Sequence, residues 1–274
     1  MLLHNQTLAV LGAGMMGSAL ARGIVQAGAM PPEAVTIFDL HTLKARGLAA
    51  EVGGDAHVAE TVQEAVAGKS IVLLALKPNV LLQVLEEIAP VLTEQQIVVS
   101  IAAGIPLRRL EAIIGKSVPV VRAMPNTPCL VGAGATAVCQ GAHASHDHLQ
   151  RAQALFAAVG ESIAVEEKHM DAVTALSGSG PAYVYLMIEA MSDAGVKAGL
   201  TRDLSRLLAA QTVYGAAKTV MASNEHPAQL KDNVTTPGGT TIAALAVLER
   251  AGLRTALGDA IEAAINRSKE LSSS

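Results

Sequence analysis

The chain has 274 residues, a net charge of −4, 51% hydrophobic residues and 2% aromatic residues. The high apolar fraction excludes a disordered chain, and the lack of both a basic excess and stacking aromatics disfavours a nucleic-acid-binding protein. At roughly 150 residues per domain, the length favours two domains.

The two cysteines, Cys129 and Cys139, are too few for a disulfide framework and do not form a C-x-x-C pair. No apolar run approaches the ~20 residues of a membrane-spanning helix, and the N-terminus lacks the pattern of a signal peptide. The histidines at 143, 146 and 148 do not have the spacing of a zinc site. We therefore expect a cytoplasmic protein that binds no metal, no membrane and no nucleic acid.

The first 165 residues alternate short β-rich runs with helical stretches of Ala and Leu. This alternation predicts βαβ units and a mainly parallel sheet of the Rossmann type. The run IVLLAL is apolar on both faces, as expected for a central strand that helices cover on both sides. The predicted strands are Thr7–Leu11, Ala34–Phe38, Ser70–Leu76, Gln96–Ile101, Val118–Arg122, Ala135–Cys139 and a weaker one at Ser162–Val165.

After residue 165 the pattern predicts only helices. They are expected at 168–178, 181–198, 202–223, 240–250 and 254–271. These helices are apolar on most faces, so they must be buried, and we expect a subunit interface. The predicted fold class is α/β, with an N-terminal Rossmann-type domain at 1–165 and a C-terminal all-helical domain at 166–274.

A glycine-rich segment, LAVLGAGMMG, follows the first predicted strand. Gly12, Gly14 and Gly17 form a G-x-G-x-x-G motif that leads into a predicted helix. In a dinucleotide-binding turn, the first glycine allows the tight turn, the second lets a pyrophosphate approach the backbone, and the third lets helix and strand pack closely. The phosphates then bind free N–H groups at the helix N-terminus. The motif predicts a dinucleotide site; a turn that binds nothing is the alternative.

Asp39 ends the second predicted strand. An acidic residue there accepts hydrogen bonds from the adenine ribose and repels a 2′-phosphate, which favours NADH. His41, Lys44 and Arg46 follow at once and could bind a 2′-phosphate. The sequence therefore leaves NADH and NADPH both open, and a surface turn residue without a ligand is the alternative for Asp39.

Two more strand ends are expected beside the nicotinamide half, because ligands in open α/β sheets bind beyond the carboxyl ends of the strands. Ala75–Pro78 closes the central strand, and Ser100–Gly104 closes the next one with small side chains. For Lys77, a solvated surface lysine is an equal alternative.

A second bare helix start is predicted in the helical domain, where residues 235–241 read TTPGGTT. Thr236 is expected to cap this helix. Gly238 and Gly239 are expected in its first turn, where they leave N–H donors open to a carboxylate or phosphate. A plain helix cap is the alternative.

The segment SGSGPAY, residues 177–183, predicts an interruption between two helices. Its small residues allow a close approach of the backbone. Because no strand precedes it, a nucleophilic serine is not expected there.

In chain order, LGAGMMG, ALKP, RAMPNTP, SGSGPAY and TTPGGTTIAALAVLE closely resemble the motifs of the pyrroline-5-carboxylate reductase family. The similarity covers about residues 7–271, and VTTPGGTTIAALAVLE is its most specific part. The resemblance implies that NADPH or NADH delivers a hydride to the imine carbon of 1-pyrroline-5-carboxylate and gives L-proline, the last step of proline biosynthesis. It also implies a homodimer joined through the helical domain, which completes the neighbouring subunit's site, and often a higher oligomer such as a decamer.

The same resemblance implies roles for particular residues. Thr241 would be the catalytic residue, hydrogen-bonded to the ring nitrogen. Substrate binding would fall to Glu167, Asn233, Thr236, Gly238, Gly239, Thr240 and Thr241. Cofactor binding, from the glycine motif and the resemblance together, would fall to Leu11, Gly12, Ala13, Gly14, Met15, Met16, Asp39, Ala75, Leu76, Lys77, Pro78, Ile101, Ala102 and Ala103.

Two other functions are compatible with the residues. Another NAD(P)-dependent imine or hydroxyacid reductase would more often carry a Lys or Asp acid in the helical domain, where Lys231 is the nearest candidate. A non-catalytic NAD(P)-sensing protein would keep LGAGMMG but would not need TTPGGTT.

The chain departs from the family pattern at the end of the second strand, where Asp39-Leu40 replaces the turn suited to NADPH that is common in the family.

Overall fold

The computed structural model describes residues 2–273 and divides into two compact units. The first unit comprises residues 2–179 and 264–273, and the second comprises residues 180–263. The division falls after the predicted boundary at residue 166, because Met170 packs into an apolar core of the first unit. The domain division at 165 and 166 stays a prediction.

The first unit is built on one sheet. Its strands are β1 (Leu8–Leu11), β2 (Val35–Phe38), β3 (His57–Val58), β4 (Ile71–Leu74), β5 (Ile97–Ser100), β6 (Val120–Met124), β7 (Gly134–Gln140) and β8 (Gly160–Ala164). Their order is β3-β2-β1-β4-β5-β6-β7-β8; β1 to β6 are parallel, β7 is antiparallel to β6, and β8 is parallel to β7. The first six strands have the Rossmann order, which confirms the predicted fold class. The two-residue strand β3 was not predicted, because it is too short to show a periodic pattern.

Helices cover both faces of this sheet. They are α1 (Met15–Gln26), α2 (Thr42–Val52), α3 (Val62–Val66), α4 (Pro78–Ile88), α5 (Leu107–Ile114), α6 (His146–Ala157) and α7 (Met170–Val173). Leu8 and Val10 of β1 pack in one core with α1, α2 and α6. Ala9 and Leu11 pack in a second core with α3, α4 and α5. Because strand side chains alternate between faces, the two cores lie on opposite sides of the sheet.

The predicted interruption at SGSGPAY is present. A π-helix at Thr174–Gly178 follows α7, and a bend at Ser179 separates it from α8 (Gly180–Lys197). The Ser179 N–H donates to the Thr174 carbonyl oxygen at 2.8 Å, five residues back. Gly178 lies against Met124, since an added Cβ would come within 2.6 Å of the methionine Cε. Gly178 therefore permits close packing, whereas no neighbouring atom lies within 4 Å of a Cβ added at Gly180.

The second unit is helical, as predicted. It contains α8, α9 (Arg202–Ser223), α10 (Pro227–Asn233), α11 (Thr240–Arg250) and the first part of α12 (Leu253–Ser273). The short helix α10 was not predicted, because its residues are mostly polar and lack an apolar period. Helices α8 and α9 approach closely: Ser205 Oγ donates to the Ser192 carbonyl oxygen at 2.6 Å.

Most apolar side chains of the second unit are exposed. Among the described residues from 180 to 263, only Ser192, Ser205 and Ala209 are buried. Leu186 and Met221 are 66% and 71% exposed. Apolar surface of this extent is typical of a face that another chain covers. Within residues 2–273, no helix combines the length and the hydropathy needed to cross a bilayer.

Gly17 of α1 and Gly47 of α2 lie on the same face of the sheet, and we expect their replacement by alanine to have opposite effects on stability. An added Cβ at Gly17 would lie 2.0 Å from the Gly12 carbonyl oxygen, whereas Gly47 has no atom within 4 Å of that position. We expect Gly17→Ala to lower the free energy of unfolding by about 1–3 kcal/mol through overpacking. Gly47→Ala should raise it by about 0.5–1 kcal/mol, because alanine costs less backbone entropy. Urea unfolding measures both, and equal stability of Gly17→Ala and wild type would contradict the packing role.

Candidate active site

At the carboxyl ends of β1 and β4 the strand order reverses, and this is where the ligand crevice of the sheet is expected. Strand β1 has β2 on one side and β4 on the other, and the helices that follow β1 and β4 lie on opposite faces of the sheet. Such a reversal of strand order is where open α/β sheets bind ligands. The Gly12 N–H donates to the Phe38 carbonyl oxygen at 2.7 Å, and the Ala75 N–H donates to the Leu11 carbonyl oxygen at 2.9 Å. The loops after the three central strands are thus joined by backbone hydrogen bonds.

The three motif glycines have different surroundings. Gly12 has a φ of +108°, and an added Cβ would lie 2.5 Å from the Ala75 carbonyl oxygen. An added Cβ at Gly17 would likewise lie too close to the Gly12 carbonyl oxygen. Around Gly14, no atom lies within 4 Å of the Cβ position. Gly12 and Gly17 therefore permit packing, and Gly14 leaves open the space that a pyrophosphate would need.

Helix α1 starts at this open space. Gly14 is its N-cap and supplies no side-chain hydrogen bond. The Ser18 N–H donates to the Gly14 carbonyl oxygen at 2.8 Å, so helix geometry leaves the preceding N–H groups, from Met15 to Gly17, without an intrahelical acceptor. Met15 is 66% exposed, which keeps the helix start open. These residues fit the diphosphate of a nicotinamide dinucleotide.

Asp39 is fixed beside the glycine-rich loop. Its Oδ2 accepts a hydrogen bond from the Ala13 N–H at 2.8 Å, and its Oδ1 accepts one from the His41 N–H at 2.8 Å. The carboxylate therefore anchors the loop as well as lying where an adenine ribose is expected.

The strand ends predicted for the nicotinamide half leave the sheet side by side. Leu74 of β4 is in register with Ser100 of β5, and the strands are parallel. Ala75–Pro78 and Ile101–Ala103 therefore begin at the same edge. Lys77 is the N-cap of α4 and is exposed.

In the second unit, the structure confirms the predicted helix at 240–250, which is α11 (Thr240–Arg250). It corrects the predicted cap: the N-cap is Gly239 rather than Thr236, so Gly238 and Gly239 precede the first turn. Thr236 instead opens a turn in which the Gly239 N–H donates to the Thr236 carbonyl oxygen at 3.0 Å and Gly238 has a φ of +67°. Proline followed by a positive-φ glycine is the sequence of a type II turn, and this turn displaces the predicted cap. The first N–H groups of α11 still lack intrahelical acceptors, and the cap has no side chain.

Asn233 ends α10 with its side-chain amide held in place. Its Nδ2 donates to Glu225 Oε2 at 3.2 Å, and its Oδ1 accepts from Gln229 Nε2 at 2.9 Å. Thr240 is exposed and Thr241 is half-buried at the start of α11. The prediction that these residues bind substrate stays a prediction.

Similarity to known proteins extends over almost the whole chain. It is 43% identical to "Pyrroline-5-carboxylate reductase" of Glycine max over 269 residues, which are 98% of this chain and 97% of that one. It is 44% identical to "Pyrroline-5-carboxylate reductase" of Synechocystis sp., over 96% of this chain and 97% of that one. The chain belongs to the pyrroline-5-carboxylate reductase family. This confirms the resemblance seen in its motifs.

Solved structures of the pyrroline-5-carboxylate reductase family have the same fold. The Plasmodium falciparum pyrroline carboxylate reductase, solved with NADP bound, is 35% identical, with a TM-score of 0.88 and coverage of 98% of this chain and 99% of that one. The Coxiella burnetii enzyme is 36% identical, with a TM-score of 0.91 and 98% coverage of each chain. Residues 167–271 match the family described as "Pyrroline-5-carboxylate reductase dimerisation", and residues 7–104 match "NADP oxidoreductase coenzyme F420-dependent".

Glu167, a predicted substrate-binding residue, is engaged within the first unit. Its Oε1 accepts hydrogen bonds from the Leu107 N–H at 2.7 Å and from Arg122 Nη1 at 3.2 Å. The Arg122 side chain is only 6% exposed, so it depends on this carboxylate for its charge partner. Leu107 begins α5, directly after the loop from β5. Glu167 therefore ties that loop to β6, and its role toward substrate stays a prediction.

Sequence reasoning missed two structural residues of the RAMPNTP motif. Arg122 is one, and a lone charge within the apolar run VVRAM was the available signal. Asn126 is the other: its Nδ2 donates to the Ser177 carbonyl oxygen at 3.0 Å, and its Oδ1 accepts from the Ala135 N–H at 2.9 Å. It thereby links the start of β7 to the π-helix.

Glu167 and its neighbour Glu166 predict different stability effects. We expect Glu167→Ala to lower the free energy of unfolding by about 2 kcal/mol or more, because the buried guanidinium loses its partner. Glu166→Ala removes only an exposed ion pair with Lys168 and should cost less than about 0.5 kcal/mol. Thermal and urea unfolding of both variants check this, and equal losses would contradict the inference about Arg122.

The two cysteines are predicted to be unreactive at pH 8. Burial raises the pKa of the Cys129 thiol, and burial together with the Glu167 charge raises the pKa of Cys139 to about 12. Both thiols are therefore held in the protonated form more strongly than a free cysteine, and the thiolate is the reactive form. A disulfide reagent such as DTNB should modify the folded chain at least roughly 100-fold more slowly than the urea-unfolded chain. Rapid labelling of one thiol per folded chain would contradict this.

Proposed function

We propose that this chain reduces the carbon–nitrogen double bond of 1-pyrroline-5-carboxylate to give L-proline, with NADPH or NADH as the hydride donor. One observation carries the proposal: each unit contains a helix start capped by a bare glycine, at α1 and at α11. The first suits a dinucleotide diphosphate and the second a small carboxylate. The named relatives, similar over nearly the whole chain, support this reaction.

The first unit supplies the cofactor site in this proposal. When bound, the nicotinamide supplies the hydride that the imine carbon accepts. The unpaired N–H groups at the start of α1, from Met15 onward, bind the diphosphate, and the bare Gly14 leaves the space for it. The Gly12 and Ala13 N–H groups are already donated to Phe38 and Asp39, so they shape the loop, and Asp39 lies at the ribose. At the ends of β4 and β5, Ala75, Ala102 and Ala103 have small side chains, which leave room for a flat ring against the backbone.

The second unit supplies the substrate site in this proposal. The unpaired N–H groups at the start of α11, from Thr240 onward, bind the carboxylate, helped by the positive end of the α11 dipole. Gly238 and Gly239 leave room for it without side chains, and the Gly239 N–H is already donated to the Thr236 carbonyl oxygen. The Thr241 hydroxyl donates a hydrogen bond to the ring nitrogen and orients the ring. Because a threonine hydroxyl is a poor acid, the proton for that nitrogen comes from water or from a substrate already protonated as an iminium.

We also propose a homodimer that assembles further, as into a decamer. The exposed apolar surface of α8 to α11 supports a dimer, and the dimerisation family matched by residues 167–271 agrees with it. Two unpaired buried thiols, Cys129 and Cys139, suit the reducing cytoplasm proposed as its location.

The activity is tested by mixing the protein with synthetic 1-pyrroline-5-carboxylate and NADH or NADPH, and by following the loss of absorbance of the reduced nicotinamide. We expect turnover that depends on both compounds and forms proline. Binding of the dinucleotide without turnover would identify a sensing protein instead. Turnover of other imines or of keto acids, but not of this imine, would identify a different reductase.

Thr241 is expected to contribute through its hydroxyl. Thr241→Ala should lower kcat by roughly 10- to 100-fold, which is at or below the ~10²-fold lower limit of general acid catalysis, because the hydroxyl orients the nitrogen without supplying its proton. Thr241→Ser keeps the hydroxyl and should retain most of the activity, which separates the hydrogen bond from the methyl packing. Steady-state kinetics of the three proteins measure the effect, and unchanged turnover in Thr241→Ala would remove this residue from the mechanism.

A further inference from the structure

The end of β2 carries a negative charge that is held in place from two sides. Asp39 accepts the Ala13 N–H on one carboxylate oxygen and the His41 N–H on the other, both at 2.8 Å. Ala13 belongs to the glycine-rich loop, and His41 is the N-cap of α2. Turning the carboxylate away would break both hydrogen bonds, so its position beside the loop is fixed.

The nearby cations are not fixed in this way. Lys44 and Arg46 are exposed on the first turns of α2, on either side of Ala45, which is buried. At 100° per residue, the two cations lie on opposite flanks of the buried stripe, so at most one of them faces the crevice. Within residues 2–273, Asp39 forms no salt bridge with either of them. A solvated cation on a mobile chain attracts an anion weakly.

We propose that Asp39 makes this enzyme select NADH over NADPH, an inference that rests on the proposed function. Each oxygen of Asp39 keeps a free lone pair, which can accept a hydrogen bond from the 2′-hydroxyl of NADH. The 2′-phosphate of NADPH would bring like charge against a carboxylate that cannot move away. The Plasmodium falciparum relative was solved with NADP, so the fold itself admits a 2′-phosphate. The selection between NADH and NADPH is therefore made by Asp39, directly after β2.

Binding of the two reduced cofactors to the full chain, measured by nicotinamide fluorescence without substrate, tests the proposal. At low salt, wild type should bind NADH at least ~10-fold more tightly than NADPH, because the repulsion acts on only one of them. Raising the ionic strength should narrow that ratio, since salt screens charge repulsion but not the hydrogen bond to the 2′-hydroxyl.

Asp39→Asn removes the charge but keeps the shape and one acceptor oxygen. The ratio of the NADPH dissociation constant to the NADH dissociation constant should fall roughly 10-fold or more in this variant, mainly because NADPH binds more tightly. Asp55→Asn is the matched control, an exposed aspartate in the turn after α2, and should leave the ratio unchanged. If Asp39→Asn does not fold, the wild-type ratio and its salt dependence still decide.

Equal or tighter binding of NADPH by wild type would overturn the role of Asp39 while leaving the proposed reductase function intact. A preference for NADH that Asp39→Asn leaves unchanged would overturn it as well. If neither dinucleotide binds, the proposed function fails and this inference fails with it.

Discussion

The proposed binding sites depend on one interaction, the binding of an anion by unpaired backbone N–H groups at the start of a helix. A helix cannot satisfy its first N–H groups internally, and a side chain at the N-cap can accept from one of them, as Thr61 does at α3 and Ser145 at α6. Here α1 and α11 both follow a glycine cap that offers no side-chain hydrogen bond. Their donors and the positive end of each helix dipole are therefore left for an external anion.

Close packing and hydrogen bonds fix the geometry of the glycine-rich loop that precedes α1. Gly12 and Gly17 lie so close to neighbouring backbone that no side chain fits, and Asp39 adds hydrogen bonds to the loop. A similar arrangement is found at the start of α5. The Glu167 carboxylate holds the first N–H of α5 and neutralises the buried Arg122. In both places a carboxylate accepts a backbone N–H group and so restricts the loop that carries it.

The second unit has a different physical character. Its helices bury few of their own apolar side chains, so much of their hydrophobic surface has no partner within the unit. Burial of apolar surface is the main stabilising term in folding and association. A helical unit of this composition therefore gains its stability from association with another chain, which is why composition alone predicted a subunit interface.

Local pattern determined much of this protein. Alternating strands and helices, the glycine spacing of LGAGMMG and the apolar helices after residue 165 were readable from the sequence, because each depends on neighbours within a few residues. The family followed from motifs of the same kind.

The tertiary structure decided the contacts between residues that are distant in the chain. Glu167 accepts hydrogen bonds from Arg122 and Leu107, Asn126 links β7 to the π-helix, and Asp39 accepts the Ala13 N–H. The tertiary structure also decided the cap of α11, because a turn from Thr236 to Gly239 replaces the predicted cap at Thr236. Hydrogen bonds between residues far apart in the chain leave no periodic signal in the sequence, so only the folded chain reveals them.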